Sequence, residues 1–409
     1  MTSATTRRFV RLNGVMDSLT RPKVAMIVTT YFAKSHADVI GTRLIEGYEF
    51  AGQTIDSRVE VVSLYLEQLG DSWDEGVRPD IGQEIIQRNG IPRFPTVAEA
   101  IGLGKPGVHV DGVVIIGEHG DYEYNEFAQK LYPRRRLFDA AVSTMISAGR
   151  TVPIFCDKHL AWSFADAEAM LDTAERLTIP VLAGSSVPLS WRLPQGAQWP
   201  LGEPIEEAVG VGYGPSEVYG FHILEGLQSV IERRSGAETG VRSVRALTGA
   251  AAVDACRSGL VSGPLLDQAL DTFDLNADEK GRAVESVKDV FLVEYVDGLR
   301  AAVVNCDQVV GNFAVAARGL GLDLACQLWL QGEPHSHFIF LVRQIEALML
   351  SGEAPYPVER TLLTTGVLEA AMRSRVDQHL RETPQLAISY SPAVSVADTG
   401  LDLPQGTVA

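Results

Sequence analysis

Short, dense runs of branched aliphatic residues recur through the first half of the chain, and between them apolar positions return every three or four residues. Lys23 to Thr29 (KVAMIVT) reads as a buried strand, and Ser35 to Glu49, with Val39, Leu44 and Ile45 at helical spacing, as the helix after it. Val59 to Leu66 is a second strand, Gly82 to Asn89 a second helix, and Pro92 to Gly102 a turn with a short helix. Val113 to Ile116 continues the series as a strand apolar on both faces, ending abruptly in Gly117, Glu118, His119, Gly120 and Asp121. Leu137 to Ala148 is a helix, Val152 to Cys156 a strand, Phe164 to Leu177 an amphipathic helix, and Pro180 to Ala183 one more strand.

Strict alternation of strand and helix predicts a parallel, doubly wound, Rossmann-like sheet over residues 23–193, after an N-terminal extension of residues 1–22. Beyond Pro194 the rhythm breaks into Gly- and Pro-punctuated segments, with a helix over Val218 to Arg233 and a segment over Val241 to Gly249. Strand candidates at Asp289 to Val296 and Ala301 to Asp307, and helices at His337 to Leu350 and Arg360 to Arg375, make residues 194–390 an α+β domain with an open antiparallel sheet. Residues 391–409, rich in Pro, Gly and small side chains, read as a flexible tail.

Composition narrows the partners. The 409 residues are 46% hydrophobic, enough for a large core, and the formal net charge of -17 repels nucleic acid and anionic membrane. No apolar run approaches the roughly 20 residues of a membrane span, and the N-terminus lacks the apolar core of a secretory signal, so a cytoplasmic protein acting on a small molecule is expected. The open edge of the second sheet makes a homo-oligomer the expected state. Cys156, Cys256, Cys306 and Cys326 lie far apart without CxxC spacing and read as small core residues.

Ligands of doubly wound sheets sit beyond the carboxyl ends of the strands. Three ionisable clusters fall there: Ser35, His36 and Asp38; Glu118, His119 and Asp121; Asp157, Lys158 and His159. Each has a plainer reading. His36 with Asp38 suits a helix start, and the GEHGD loop could be a polar turn. His335 and His337 share a strand face if extended, but sit in a segment that reads as an exposed loop, and Arg134, Arg135 and Arg136 read as solvated more readily than as an anion grip.

The order IPRFPTVAEAIG, VDGVVIIGEHGDY and GRTVPIFCDKHLAWSFADAEAMLDTAERLTIPVLAG resembles the nucleotide-binding domain of the Gfo/Idh/MocA oxidoreductases. In that family a strand leads into a Glu-Lys-Pro tripeptide, here Asp157, Lys158 and His159. YGFHILEGLQSVIERRSG is similar to the segment that carries an Asp-x-x-x-His pair: His222 matches the histidine, while Val218 stands at the Asp position with Glu217 one residue earlier. RTLLTTGVLEAAMRSR looks like the family's C-terminal helix. The resemblance implies a hydride exchanged between NAD or NADP and a carbinol or ketone carbon of a sugar-like or polyol substrate, with Lys158, His222 and His119 as catalytic residues.

The first turn departs from that pattern. Thr29, Thr30, Tyr31 and Phe32 stand where glycines would let a backbone approach a pyrophosphate, so nucleotide affinity is expected to be weaker than in a glycine-loop enzyme. Hydroxyls of Thr29, Thr30 and Ser35, with Glu118, are the remaining candidates to meet a cofactor. A second expectation follows: a scaffold that has lost the dinucleotide and gained a divalent zinc, manganese or iron ion, held by Glu118, His119, Asp157, His159 and His222, for a hydrolase, lyase or isomerase step. A third is a catalytically silent binding module.

Overall fold

The computed structural model describes residues 21–71, 76–307 and 309–393. Most of the N-terminal extension and most of the tail expected from the sequence lie outside the described residues. The strands of the first half are β1 (Lys23–Val28), β2 (Tyr48–Phe50), β3 (Gln53–Ile55), β4 (Glu60–Leu66), β5 (Arg93–Phe94), β6 (Gly112–Ile116), β7 (Ile154–Asp157) and β8 (Val181–Gly184). Six of them form one all-parallel sheet in the order β5-β4-β1-β6-β7-β8. The order reverses between β1 and β6, which opens a crevice beyond Val28 and Ile116, where doubly wound sheets take their ligands.

The strands of that sheet are apolar because both faces are covered: every residue of β6 and β7 is buried. Helices Val97–Gly102, Arg134–Ala148 and Phe164–Arg176 cover one face. The other face is covered by a helix of mixed π and α turns over Ala37–Glu46 and by Phe338–Ser351, a helix from near the end of the chain whose Ile339, Phe340, Ile345 and Leu348 enter the same core as Val24 and Met26. The helix expected over Ser35 to Glu49 stops at Glu46. Gly47 turns the chain at φ +78°, where a Cβ would lie 2.4 Å from the Ile55 carbonyl oxygen, and the β2–β3 ribbon follows.

Past Gly184 come β9 (Trp191–Leu193), β10 (Glu207–Gly212), β11 (Val241–Thr248), β12 (Val287–Tyr295), β13 (Arg300–Cys306), β14 (Phe313–Gly319), β15 (Leu322–Trp329) and β16 (Arg381–Glu382). They form an eight-stranded sheet, order β16-β11-β12-β13-β10-β14-β15-β9, antiparallel except for the β10–β13 pair. One face packs on helices Val218–Ile231 and Glu359–Asp377, the other on Ala250–Ser258, Gly263–Asp271 and Ala277–Glu285. All four cysteines are buried and free. Among the described residues no helix is long and apolar enough to cross a membrane.

Candidate active site

Glu118 follows β6 directly and is 3% exposed. An isolated carboxylate so placed would be very costly, and two cations answer it. Lys158 Nζ, just past β7, lies 3.0 Å from Glu118 Oε1, and Arg134 pairs with Glu118 Oε2. Arg134 reaches so close only because residue 117 is glycine; a Cβ there would come within 2.8 Å of Arg134 Cγ. Burial alone would raise the Glu118 carboxyl, but the charges of Lys158 and Arg134 outweigh it and hold the group well below the usual carboxylate range.

Arg134 Nη1 also donates to His159 Nε2 at 3.2 Å, which assigns that nitrogen as acceptor and the ring as neutral. Burial first, then the Arg134 charge, pushes His159 well below the ordinary histidine value. On its other side lies Glu217, the residue before helix Val218–Ile231, with Oε1 at 3.6 Å from His159 Nε2. Asp157 takes a hydrogen bond from His36 Nδ1 at 2.7 Å. His119 adopts φ +67° and stacks edge-on against Phe32 and His36, with ring centroids 5.1 and 5.6 Å away.

Some of these groups border a cavity of about 370 Å³ between the two sheets. From the parallel sheet come His36, Glu118, His119 and Lys158; from the other domain come Tyr213, Tyr219, His222 and Phe313; and His335, His337 and Phe338 close one side. Tyr213 and Phe313 stack at 5.4 Å, an aromatic wall next to polar groups that suits a hydroxylated ring. His222 sits half-buried with its Nδ1 enclosed and without a hydrogen-bond partner among the described residues. Burial and then the Lys158 charge lower it well below the usual histidine value, so the imidazole is neutral. Burial likewise takes His337 down to about 3; it is enclosed, not in the exposed loop expected, and its Nδ1 lies 3.2 Å from the Gln331 carbonyl oxygen.

Lys158, His222, His119 and Glu118 thus line one cavity. The other cofactor candidates are turned inward. Thr29 Oγ1 donates to the Glu118 carbonyl at 2.7 Å, Ser35 Oγ accepts from the Phe32 and Asp38 amides, both at 3.3 Å, and the Thr30 hydroxyl is buried without a hydrogen-bond partner among the described residues. The first turn does not fit a pyrophosphate laid on its helix start in the glycine-loop manner. Asp38 Oδ2 accepts the Lys34 amide at 2.8 Å, putting a carboxylate where the phosphates would lie. Tyr31 is buried beneath, with its hydroxyl 2.9 Å from Thr42 Oγ1, and the segment before Phe338 caps the turn through Lys34–Glu333 and Arg43 to the Pro334 carbonyl oxygen at 2.5 Å.

The expected divalent metal is corrected. Among the described residues no group of three or more His, Cys, Asp or Glu side chains is arranged to hold a metal ion. Of the five proposed ligands, Glu118 is paired with Lys158 and Arg134, Asp157 is hydrogen-bonded to His36, and His159 is engaged by Arg134, so these side chains are committed to protein partners rather than turned to a zinc, manganese or iron ion.

No family model matches the chain, and no curated protein matches it. Solved structures match over nearly its whole length. GenD2 from gentamicin A biosynthesis, in complex with NAD, is 15% identical with a TM-score of 0.55 over 93% of this chain and 99% of that one. Myo-inositol 2-dehydrogenase from Lactobacillus plantarum is 9% identical, TM-score 0.52, over 88% and 99%. An oxidoreductase from Agrobacterium radiobacter in complex with NAD+, L-tartaric acid and magnesium is 16% identical, TM-score 0.51, over 89% and 98%. The fold is therefore that of the Gfo/Idh/MocA-type dehydrogenases, as the resemblance in the sequence implied.

Proposed function

We propose that this chain is an oxidoreductase acting on a carbinol or ketone carbon of a sugar-like or polyol substrate held in the cavity between the two sheets. The observation that carries the reading is that Lys158 and His222, from different domains, line the same cavity. The neighbours in fold, an inositol dehydrogenase and two NAD complexes, support the reaction class. NAD or NADP is the hydride partner in that class, but the first turn argues that a dinucleotide, if it binds, is seated otherwise than on a glycine loop.

What the chain's own residues supply is the handling of the proton. Lys158 gives one donor to Glu118, which fixes the ammonium, and another can hold the substrate oxygen. His222, neutral and lining the cavity, is the group to take the hydroxyl proton as the carbonyl forms, and to return it in the reverse direction. Tyr213 and Phe313 give the substrate ring a flat wall.

The test is a panel of inositols and sugars incubated with NAD and with NADP, read by the absorbance of reduced nicotinamide. Turnover of one member, lowered roughly 100-fold in Lys158→Ala with folding intact, is the expected result. No turnover on any member together with no nucleotide binding by calorimetry overturns the reading.

A further inference from the structure

His36 stands just before the helix over Ala37–Glu46, and its ring meets Asp157, the last residue of β7. Nδ1 donates to Asp157 Oδ2 at 2.7 Å. The Asp157 side chain is fully enclosed, and among the described residues this is the only hydrogen bond its carboxylate receives; Oδ1 has none. An enclosed carboxylate so thinly bonded is costly, and least so when its one partner becomes a cation. His36 can become one by taking a proton at Nε2, which has no hydrogen-bond partner among the described residues. The ring is 12% exposed and borders the cavity that holds Lys158 and His222.

The two histidines differ in the charge they can keep. Val218 stands one helical turn before His222, where a carboxylate could have answered a positive ring, and His222 Nδ1 is enclosed without a hydrogen-bond partner among the described residues. Burial and the Lys158 charge both oppose an imidazolium there. At His36 the carboxylate is already in contact. The other groups around the His36 ring leave it that role: Glu118 and Lys158 are paired with each other, His119 and Phe338 lie edge-on at 5.6 and 5.3 Å, and His337 and His222 are neutral. On its own turn, Asp38 accepts from the Lys34 amide and the Thr42 hydroxyl, and Lys34 pairs with Glu333.

We propose that His36 and Asp157 form the proton exit of the cavity: the proton that His222 takes from the substrate hydroxyl passes to His36 Nε2, and Asp157 holds the imidazolium until solvent removes the proton. The proposal rests on the redox reading above and adds to it the route of the released proton. His222 and His36 are close enough for the charge of one to be felt at the other. A second hydroxyl of a polyol bridges them. It gives its proton to His36 as it receives one from His222, so one N–H bond breaks and one forms, each electron pair stays on the atom the proton leaves, and the hydroxyl is restored. His36 is thus a catalytic residue. Asp157 is a positioning residue that fixes the Nδ1–H tautomer and leaves Nε2 to accept. Oxidation needs Nε2 unprotonated, so its rate falls in acid; reduction needs it protonated and falls in base.

Nitrogen NMR of the histidine-labelled full chain reads the tautomer without any turnover. Neutral His36 is expected to carry its proton on Nδ1, and a proton on Nε2 overturns the proposal. On a substrate found in the panel above, His36→Gln, which keeps a donor for Asp157, should lower kcat for oxidation roughly 100-fold, change KM by less than about threefold, and abolish the fall in rate in acid. Added imidazole should recover about tenfold or more of the rate lost in His36→Ala. Asp157→Asn should lower kcat in the same direction and cost nothing further in a His36→Gln background. Unchanged kcat in His36→Gln, or a lower kcat with the wild-type pH profile, overturns the proposal and leaves the redox reading standing. No turnover by the wild-type chain on any member removes both. If Asp157→Asn fails to fold, His36→Gln and the imidazole rescue still decide.

Discussion

At the end of β1 the chain closes on itself, whereas at the ends of β6 and β7 in the same sheet it gathers charge from distant segments. Between Tyr31 and Thr42 several polar groups satisfy one another over short sequence distances: Ser35 with the Phe32 and Asp38 amides, Asp38 with the Lys34 amide, Tyr31 with Thr42. Glu118 is paired with Arg134 and Lys158, and His159 and Glu217 extend the cluster from Arg134, all four brought in by the end of β7 and the starts of two helices. A locally closed turn costs little to keep. A buried charge cluster is costly to assemble and collapses if one member is lost, so its retention points to use.

The largest consequence follows from Glu118. Glu118→Gln leaves Arg134 and Lys158 buried without their counter-charge, and a loss of about 3–5 kcal/mol in unfolding free energy is expected from denaturant titration. A loss under about 1 kcal/mol would mean that the two strand ends are held equally cheaply. Gly117→Ala comes next, because its Cβ would lie 2.8 Å from Arg134 Cγ. About 1–3 kcal/mol is expected, and Arg134→Lys in the same background should recover none of it if the Glu118 pairing depends on the guanidinium fork.

Glu217 sharpens the contrast through pH. Its folded value of about 7 lies above the ordinary 4.5, so in that window the folded chain keeps a proton that the unfolded chain has released. Stability should therefore fall as pH rises between those values, and Glu217→Gln should flatten that slope in thermal unfolding. Glu118 has the opposite sign: held low in the fold, it stabilises above the ordinary carboxylate value and loses that contribution in acid. The smallest effect belongs to the first turn. Asp38→Ala removes the bonds from the Lys34 amide and the Thr42 hydroxyl and should cost about 0.5–2 kcal/mol with catalytic turnover unchanged; a larger cost, or lost turnover, would break the comparison.

How far the sequence carries depends on where burial is advertised. The parallel sheet was legible because strands covered on both faces are written as aliphatic runs such as VVII and VLAG. β10, β14 and β15 were not read as strands, because EAVGVG and FAVAARG are interrupted by glycine and alanine that make room for neighbours: at Gly212 a Cβ would come within 2.6 Å of Ile223. Glu118 and Lys158 were visible as charges at strand ends. Arg134 was hidden in a basic run that reads as solvated, yet it lies three, four and seven residues before Leu137, Phe138 and Ala141, on the buried face of their helix. Glu217 carries a similar signal, four residues before the fully buried Phe221. Helical phase, extended one turn past the last apolar residue, would have found both.

The helix Phe338–Ser351, whose Ile339, Phe340, Ile345 and Leu348 belong to the core on one face of the parallel sheet, has a consequence for how the protein is made. A ribosome delivers β1 through β8 long before that helix exists, so for well over a hundred residues of synthesis one face of the parallel sheet has no complete cover. A nascent N-terminal half exposes apolar surface, which invites chaperone binding or aggregation. The two halves are consequently one cooperative unit in manufacture, however separate their sheets look, and a chain cut near residue 193 is expected to be insoluble when expressed alone.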